Sequence, residues 1–237
     1  MARSELDYLV QILRAPIYKA AIMTDVSVMH RLSDEINNKV YLKREDQQPV
    51  KSFKLRGAYN CIAQLSDAQK EKGVIAASAG NHAQGVAYAA NALNINARIV
   101  MPETTPEIKI DAVRKFGGEN VSVILHGTSF DQASDYANTL CAQLGLTMVP
   151  PFDHEDVITG QGTIGKELLE QISQIDYLFV AVGGGGLAAG IGVYLKQINP
   201  SIRIVAVESD ESACLQAAME AGEPVTLPNV GIFADGV

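Results

Sequence analysis

Apolar and polar positions along the chain switch between two periods. Short apolar runs, several of them rich in β-branched residues, read as strands at 39–45 (KVYLKRE), 73–78 (GVIAAS), 97–101 (ARIVM), 121–125 (VSVIL), 177–182 (YLFVAV) and 202–209 (IRIVAVES). Between them the apolar residues fall at helical spacing. The stretch 53–65 places Ala58, Ile62 and Leu65 on one face, and 82–93 turns Ala83, Val86, Ala87 and Ala90 inward. Residues 163–172 and 187–198 read as helices in the same way. Two further helices carry their own stops. One has Thr105 as N-cap, Pro106 in the first turn and Gly117 after the last residue. The other runs from Ser129 to Gly145, with Cys141 on a stripe shared by Phe130, Ala133, Ala137 and Leu144. The first residues predict a short amphipathic helix with Leu6, Leu9, Val10 and Leu13 on its apolar face. Strands alternating with helices predict an α/β fold with parallel sheet covered on both faces. The alternation breaks at 149–156 (VPPFDHED), where two prolines and a charge cluster mark a boundary. The last stretch, 223–237 (EPVTLPNVGIFADGV), predicts no closing helix or strand, and its apolar residues need a partner surface.

Composition narrows the classes. Of the 237 residues 47% are apolar and 19% charged, enough for a sizeable core and too few charges for a disordered chain. The net charge of −8 repels a phosphate backbone, which argues against nucleic acid as a partner. No apolar run approaches the ~18 residues of a membrane span, and the N-terminus lacks the apolar core of a signal peptide. Cys61, Cys141 and Cys214 are odd in number, far apart and without a CxxC pair, which fits buried thiols in a reducing cytoplasm. His30, His82, His126 and His154 form no HxxxH pair, so nothing predicts a metal site.

Three stretches carry chemistry. In VGGGGLAAG (182–190) four glycines follow a strand and open a helix. Glycine lets backbone approach a ligand, and N–H groups at the positive end of a helix suit a phosphate. A flexible linker is the alternative, though linkers rarely join a strand to an amphipathic helix. The pattern does not say which phosphate: Glu208 stands near the spacing of a ribose-binding acid, so a nucleotide stays open. In SAGNHAQG (78–85) the turn between a strand and a helix offers Ser78, Gly80, Asn81 and the first N–H groups of the helix. It fits a carboxylate site or, equally, a helix capped by Asn81, with His82 as a structural residue. In SFKLRGA, Lys54 stands near the start of a helix, between Phe53 and Leu55. A cation is disfavoured there, and burial would lower its pKa, which is the condition for a reactive amine. An ordinary surface lysine is the alternative. An amine, a phosphate cup and a carboxylate turn in one chain suggest pyridoxal phosphate acting on an amino acid.

SFKLRGA, SAGNHAQGVA, PFDHEDVITGQGT and VGGGGLAAG, in that order, resemble the signature stretches of the threonine and serine dehydratases, a family of fold-type II pyridoxal-phosphate enzymes. YLKREDQQPVKSFKLRGAY, PEIKIDAVRKFGG and AVESDESACLQAA resemble biosynthetic more than catabolic members. The resemblance implies two parallel-sheet αβα domains of the tryptophan synthase β type, with the cofactor in the cleft between them. Residues 1–67 and 154–237 would form the larger domain and 68–153 the smaller. It implies Lys54 as the Schiff-base lysine, Phe53 against the pyridine ring and Asn81 on the phenolic oxygen. Gly183, Gly184, Gly185, Gly186 and Leu187 would hold the phosphate; Ser78, Ala79, Gly80 and His82 would receive the substrate carboxylate. The implied reaction is β-elimination and deamination of L-threonine to 2-oxobutanoate and ammonia, toward isoleucine, with L-serine as a poorer substrate. A catalytically inactive cofactor-binding fragment is the alternative, and a serine dehydratase or serine racemase the alternative within the fold. Members of the family form dimers and tetramers. Their catalytic domain continues beyond the position matching Val237, and biosynthetic members add a regulatory region that binds isoleucine. The larger domain is therefore expected to be incomplete, and cofactor binding weaker than in a full-length enzyme.

Overall fold

The computed structural model describes residues 3–228, 230 and 231. Strands and helices alternate along it except where two helices, Lys54–Ala63 and Asp67–Lys72, follow one another directly. The helices are α1 (Glu5–Arg14), α2 (His30–Glu35), α3 (Lys54–Ala63), α4 (Asp67–Lys72), α5 (Asn81–Leu93), α6 (Glu107–Gly117), α7 (Phe130–Leu144), α8 (Glu155–Gln171), α9 (Gly186–Ile198) and α10 (Cys214–Ala221). The strands are β1 (Val26–Val28), β2 (Tyr41–Lys43), β3 (Val74–Ala77), β4 (Ala97–Met101), β5 (Val121–Leu125), β6 (Thr147–Met148), β7 (Tyr177–Ala181) and β8 (Arg203–Val207). A parallel sheet has the order β5-β4-β3-β6, and β7 and β8 form a second parallel pair. In the first sheet, Val74, Ile75 and Ala76 of β3 and Ile99, Val100 and Met101 of β4 have no accessible surface. Helices α5 and α6 cover one face of that sheet and α7 the other, so the α/β reading holds.

Several details depart from the pattern-based expectation. Residues 41–43 pair antiparallel with 26–28 in a separate two-stranded unit, outside both parallel sheets. Helix α8 begins eight residues before the predicted 163, because Gly160, Gly162 and Gly165 mask its helical pattern. Each interior glycine costs a helix about 1 kcal/mol relative to alanine, yet here each sits where another helix crosses. A Cβ on Gly160 would enter the Arg56 carbonyl of α3, and one on Gly162 would enter Ile12 of α1 and lie 2.9 Å from the Gly190 carbonyl of α9. Helix α6 starts after Pro106 rather than Thr105 and ends one glycine later, at Gly118 with φ +54°. The buried side of α1 is Ile12, with Leu9 half-buried, whereas Leu6 and Leu13 point to solvent, because the helix docks by Ile12 onto Gly162. On α7 only Ala133 and Ala137 of the proposed stripe are fully buried; Phe130 and Leu144 are exposed.

A buried charge cluster ties the N-terminal segment to α3 and α8. The Arg56 guanidinium is fully buried and donates to both oxygens of Glu167, at 2.5 and 2.9 Å, and to both oxygens of Glu45, at 2.7 and 2.8 Å. Glu167, also fully buried, accepts from Tyr18 Oη at 2.8 Å and faces Lys43 Nζ at 2.6 Å. These donors hold the Glu167 carboxyl below its usual range against the opposing effect of burial.

One face of the β7–β8 pair leaves Tyr177, Phe179 and Val207 exposed. In the tail, residues 223–228, 230 and 231 form no helix or strand; Asn229 and residues 232–237, where part of the expectation for the tail falls, lie outside the described residues. Among the described residues, no helix is long and apolar enough to cross a membrane.

Candidate active site

Lys54 is the first residue of α3, with Phe53 at the N-cap and its own N–H on Ser52 Oγ at 3.3 Å. The N-terminal end of a helix repels a cation. The side chain finds one acceptor nearby: Nζ donates to the Pro151 carbonyl at 2.9 Å and lies 5.3 Å from the centre of the Phe53 ring. Burial lowers the amine pKa from the ordinary 10.5. The backbone of Lys54 is pinned from the other side, where a Cβ on Gly85 of α5 would stand 3.1 Å from the Lys54 carbonyl carbon.

The turn 78–80 leaves the C-terminal end of β3 and enters α5. Ser78 N–H donates to the Val100 carbonyl at 3.1 Å and Gly80 N–H to Ser78 Oγ at 3.2 Å, so the turn is fixed by β4 and by its own serine. Gly80, not Asn81, is the N-cap; Asn81 is the first helical residue and is exposed. Nothing lies within 4 Å of where a Cβ on Gly80 would sit, so the space beside the N-cap is open. His82 is buried, with Nε2 2.8 Å from the Val149 carbonyl. Burial, reinforced by the Lys54 charge and opposed by the Val149 bond, pushes its pKa down to about 4. The ring is therefore neutral at pH 7 and engaged with backbone.

The glycine loop runs from β7 into α9. Gly185 is the N-cap, in the left-handed region at φ +80°, and nothing lies within 4 Å of where a Cβ on it would sit. Gly186 begins α9. Gly184 and Gly186 both lie against Phe152: a Cβ on Gly184 would enter its ring, and one on Gly186 would stand 2.5 Å from its carbonyl oxygen. Gly183 accepts a weak bond from the Cys214 thiol at 3.3 Å. Leu187 packs onto the apolar cluster around Ile164, Ile191 and Leu195. Glu208 caps α10, accepting from the N–H groups of Leu215 at 2.8 Å and Gln216 at 3.0 Å, so its carboxylate is already engaged.

Segment 149–152 joins these parts. Val149 holds His82, Pro151 holds Lys54, and Phe152 lies on the glycine loop. In the sequence pattern this segment is a boundary whose last two residues, Pro151 and Phe152, open the signature stretch PFDHEDVITGQGT, with no role in the site assigned to them. Gly85 likewise falls within SAGNHAQG without an assigned role. Together the site offers a half-buried amine with lowered pKa, an open helix end bearing a left-handed glycine, and a second open helix end. The donor set fits an aldehyde cofactor with a phosphate tail and a substrate carboxylate.

That chemistry defines a class. The model of the pyridoxal-phosphate dependent enzymes matches residues 18–237, and the chain belongs to this family. Within it, the chain is similar to the biosynthetic L-threonine dehydratase of Salmonella typhimurium strain LT2, 57% identical over 231 residues, 98% of this chain and 44% of the relative. The biosynthetic L-threonine dehydratase of Escherichia coli K12 is 56% identical, again over 98% of this chain and 44% of the relative. The chain thus spans less than half the length of these curated relatives. Among solved structures, the processed threonine deaminase isoform 2 of Solanum lycopersicum superposes with a TM-score of 0.95 at 50% identity, covering 98% of this chain and 67% of that one. Maize serine racemase superposes with a TM-score of 0.89 at 35% identity, covering 94% and 68%.

Proposed function

We propose that this chain carries the catalytic lysine, phosphate loop and carboxylate turn of a threonine ammonia-lyase, which converts L-threonine to 2-oxobutanoate and ammonia. The observation that carries the reading is the half-buried Lys54 amine, its pKa lowered, held by the segment that also lines the glycine loop. When bound, pyridoxal phosphate supplies an aldehyde for an amine and a ring that delocalises the electron pair left at the substrate α-carbon. Gly183 to Leu187 are the residues that would hold its phosphate, Phe53 would pack on its ring and Asn81 would bond its phenolic oxygen. Lys54 is the residue that would attach the cofactor, and its free Nζ would take the substrate α-proton; its lowered pKa favours the neutral, proton-accepting form. Ser78, Ala79, Gly80 and the N–H of His82 would receive the substrate carboxylate, while the His82 ring stays on Val149. The preference for threonine over serine rests on the relatives, since one methyl group is worth only ~1–3 kcal/mol in a pocket.

The domain division at 67/68 and 153/154 belongs to the same reading. Its support is that the sheet β5-β4-β3-β6 is built wholly from residues 74–148. A reducing, cytoplasmic location is supported by the three free cysteines. The test is direct: incubate the protein with pyridoxal phosphate and L-threonine and measure oxo acid, with Lys54→Ala as control. Turnover abolished by the substitution supports the reading. Turnover that persists in Lys54→Ala, or cofactor binding without turnover in the unaltered protein, rejects the lyase activity.

A further inference from the structure

We propose that Phe152 is the positioning residue of the phosphate loop. Its ring and carbonyl form a wedge that fixes Gly184 to Gly186 so that the N–H groups at the start of α9 face one point. This deepens the cofactor reading above and rests on it. The four glycines of the loop do not share one job. Gly185 needs its left-handed conformation and borders open space. Gly184 and Gly186 lack side chains for another reason: the Phe152 ring occupies the place a Cβ on Gly184 would take, and the Phe152 carbonyl stands 2.5 Å from where one on Gly186 would be. Of the glycines that read as a phosphate signature, Gly184 is thus required by the Phe152 ring and Gly186 by the backbone of the same residue.

The wedge is held on both sides. The preceding carbonyl, Pro151 O, accepts from Lys54 Nζ at 2.9 Å, and Phe152 O accepts from His154 N–H at 3.1 Å, just ahead of α8. Phe152 is 39% exposed, so it is not placed as a core side chain. A stiff planar ring against a residue without a side chain restricts that residue's backbone, whereas a flexible aliphatic chain would restrict it less. A loop fixed before the ligand arrives loses less entropy on binding.

The test compares three probes: pyridoxal phosphate, pyridoxal, which lacks the phosphate, and inorganic phosphate as competitor. For Phe152→Ala the expected result is a pyridoxal phosphate Kd raised about tenfold, the effect of one lost charge-assisted hydrogen bond. Pyridoxal affinity stays unchanged, and inorganic phosphate competes more weakly. Phe152→Tyr, which keeps the ring, restores binding. Gly184→Ala alone also weakens pyridoxal phosphate, but adding it to Phe152→Ala costs little, because the ring it collides with is gone. Should Phe152→Ala not fold, Phe152→Leu carries the same comparison. Equal weakening of pyridoxal and pyridoxal phosphate would show a general structural role and overturn the proposal. So would an unchanged pyridoxal phosphate Kd, or additive effects of the two substitutions. If the unaltered protein binds neither pyridoxal phosphate nor pyridoxal, the cofactor reading itself fails and this proposal fails with it.

Discussion

Two titratable side chains at the start of neighbouring helices meet the same backbone segment, and burial lowers the pKa of both. Lys54 keeps a carbonyl acceptor and a lowered pKa, as a reactive amine requires. His82 is deeper and stays neutral down to about pH 4. Its folded pKa lies below the unfolded value of about 6.5, so the unfolded chain binds the extra proton in between. The stability this contributes is complete above pH 6.5 and is lost as pH falls toward 4, to the extent of about 3 kcal/mol. His82→Gln, which keeps a donor for Val149 and cannot titrate, is expected to show a flatter fall in Tm between pH 6.5 and 4. Parallel Tm curves for both proteins would contradict this. At this scale Lys54, the turn 78–82 and the glycines 183–186 are legible in the sequence, because their residue types advertise their chemistry. Pro151 and Phe152 head one of the signature stretches, but their roles are not legible: a carbonyl acceptor can be any residue, and a ring lying on glycine leaves no spacing to read.

The elements show the same division. Helix α7 and strands β4 and β5 are legible to within a residue, since each carries its own cap, stop or apolar run. The first two turns of α8 and the three-residue strand β1 are not, because their reason for forming lies in partners far along the chain. That makes α8 a place to test packing against propensity. Gly160→Ala gains about 1 kcal/mol of helix propensity but forces α8 away from α3, at a cost of about 1–3 kcal/mol or more. Net destabilisation is expected in urea unfolding; a stabilised variant would contradict this close crossing. The charge cluster between the same helices predicts a larger loss. Arg56→Met leaves the fully buried Glu167 carboxylate with Lys43 and Tyr18 alone, and removal of one partner from a buried pair typically costs about 3–5 kcal/mol. A change below about 1 kcal/mol, the range of a surface ion pair, would show that the cluster is solvated in solution.

For the whole molecule, the parts of the site come from places far apart in sequence: the start of α3, the turn after β3, the entry to α8 and the loop before α9. Their meeting is legible only through the order of the four signature stretches. What the fold adds is the segment 149–152, which runs between the amine and the phosphate loop and touches both. This arrangement predicts that Lys54, and no other lysine, is the amine that takes the cofactor aldehyde. The most direct measurement is to mix the protein with pyridoxal phosphate, reduce with borohydride and map the modified peptide by mass spectrometry. Modification concentrated at Lys54 and lost in Lys54→Ala is the expected result; modification spread over exposed lysines, or unchanged in Lys54→Ala, would contradict it.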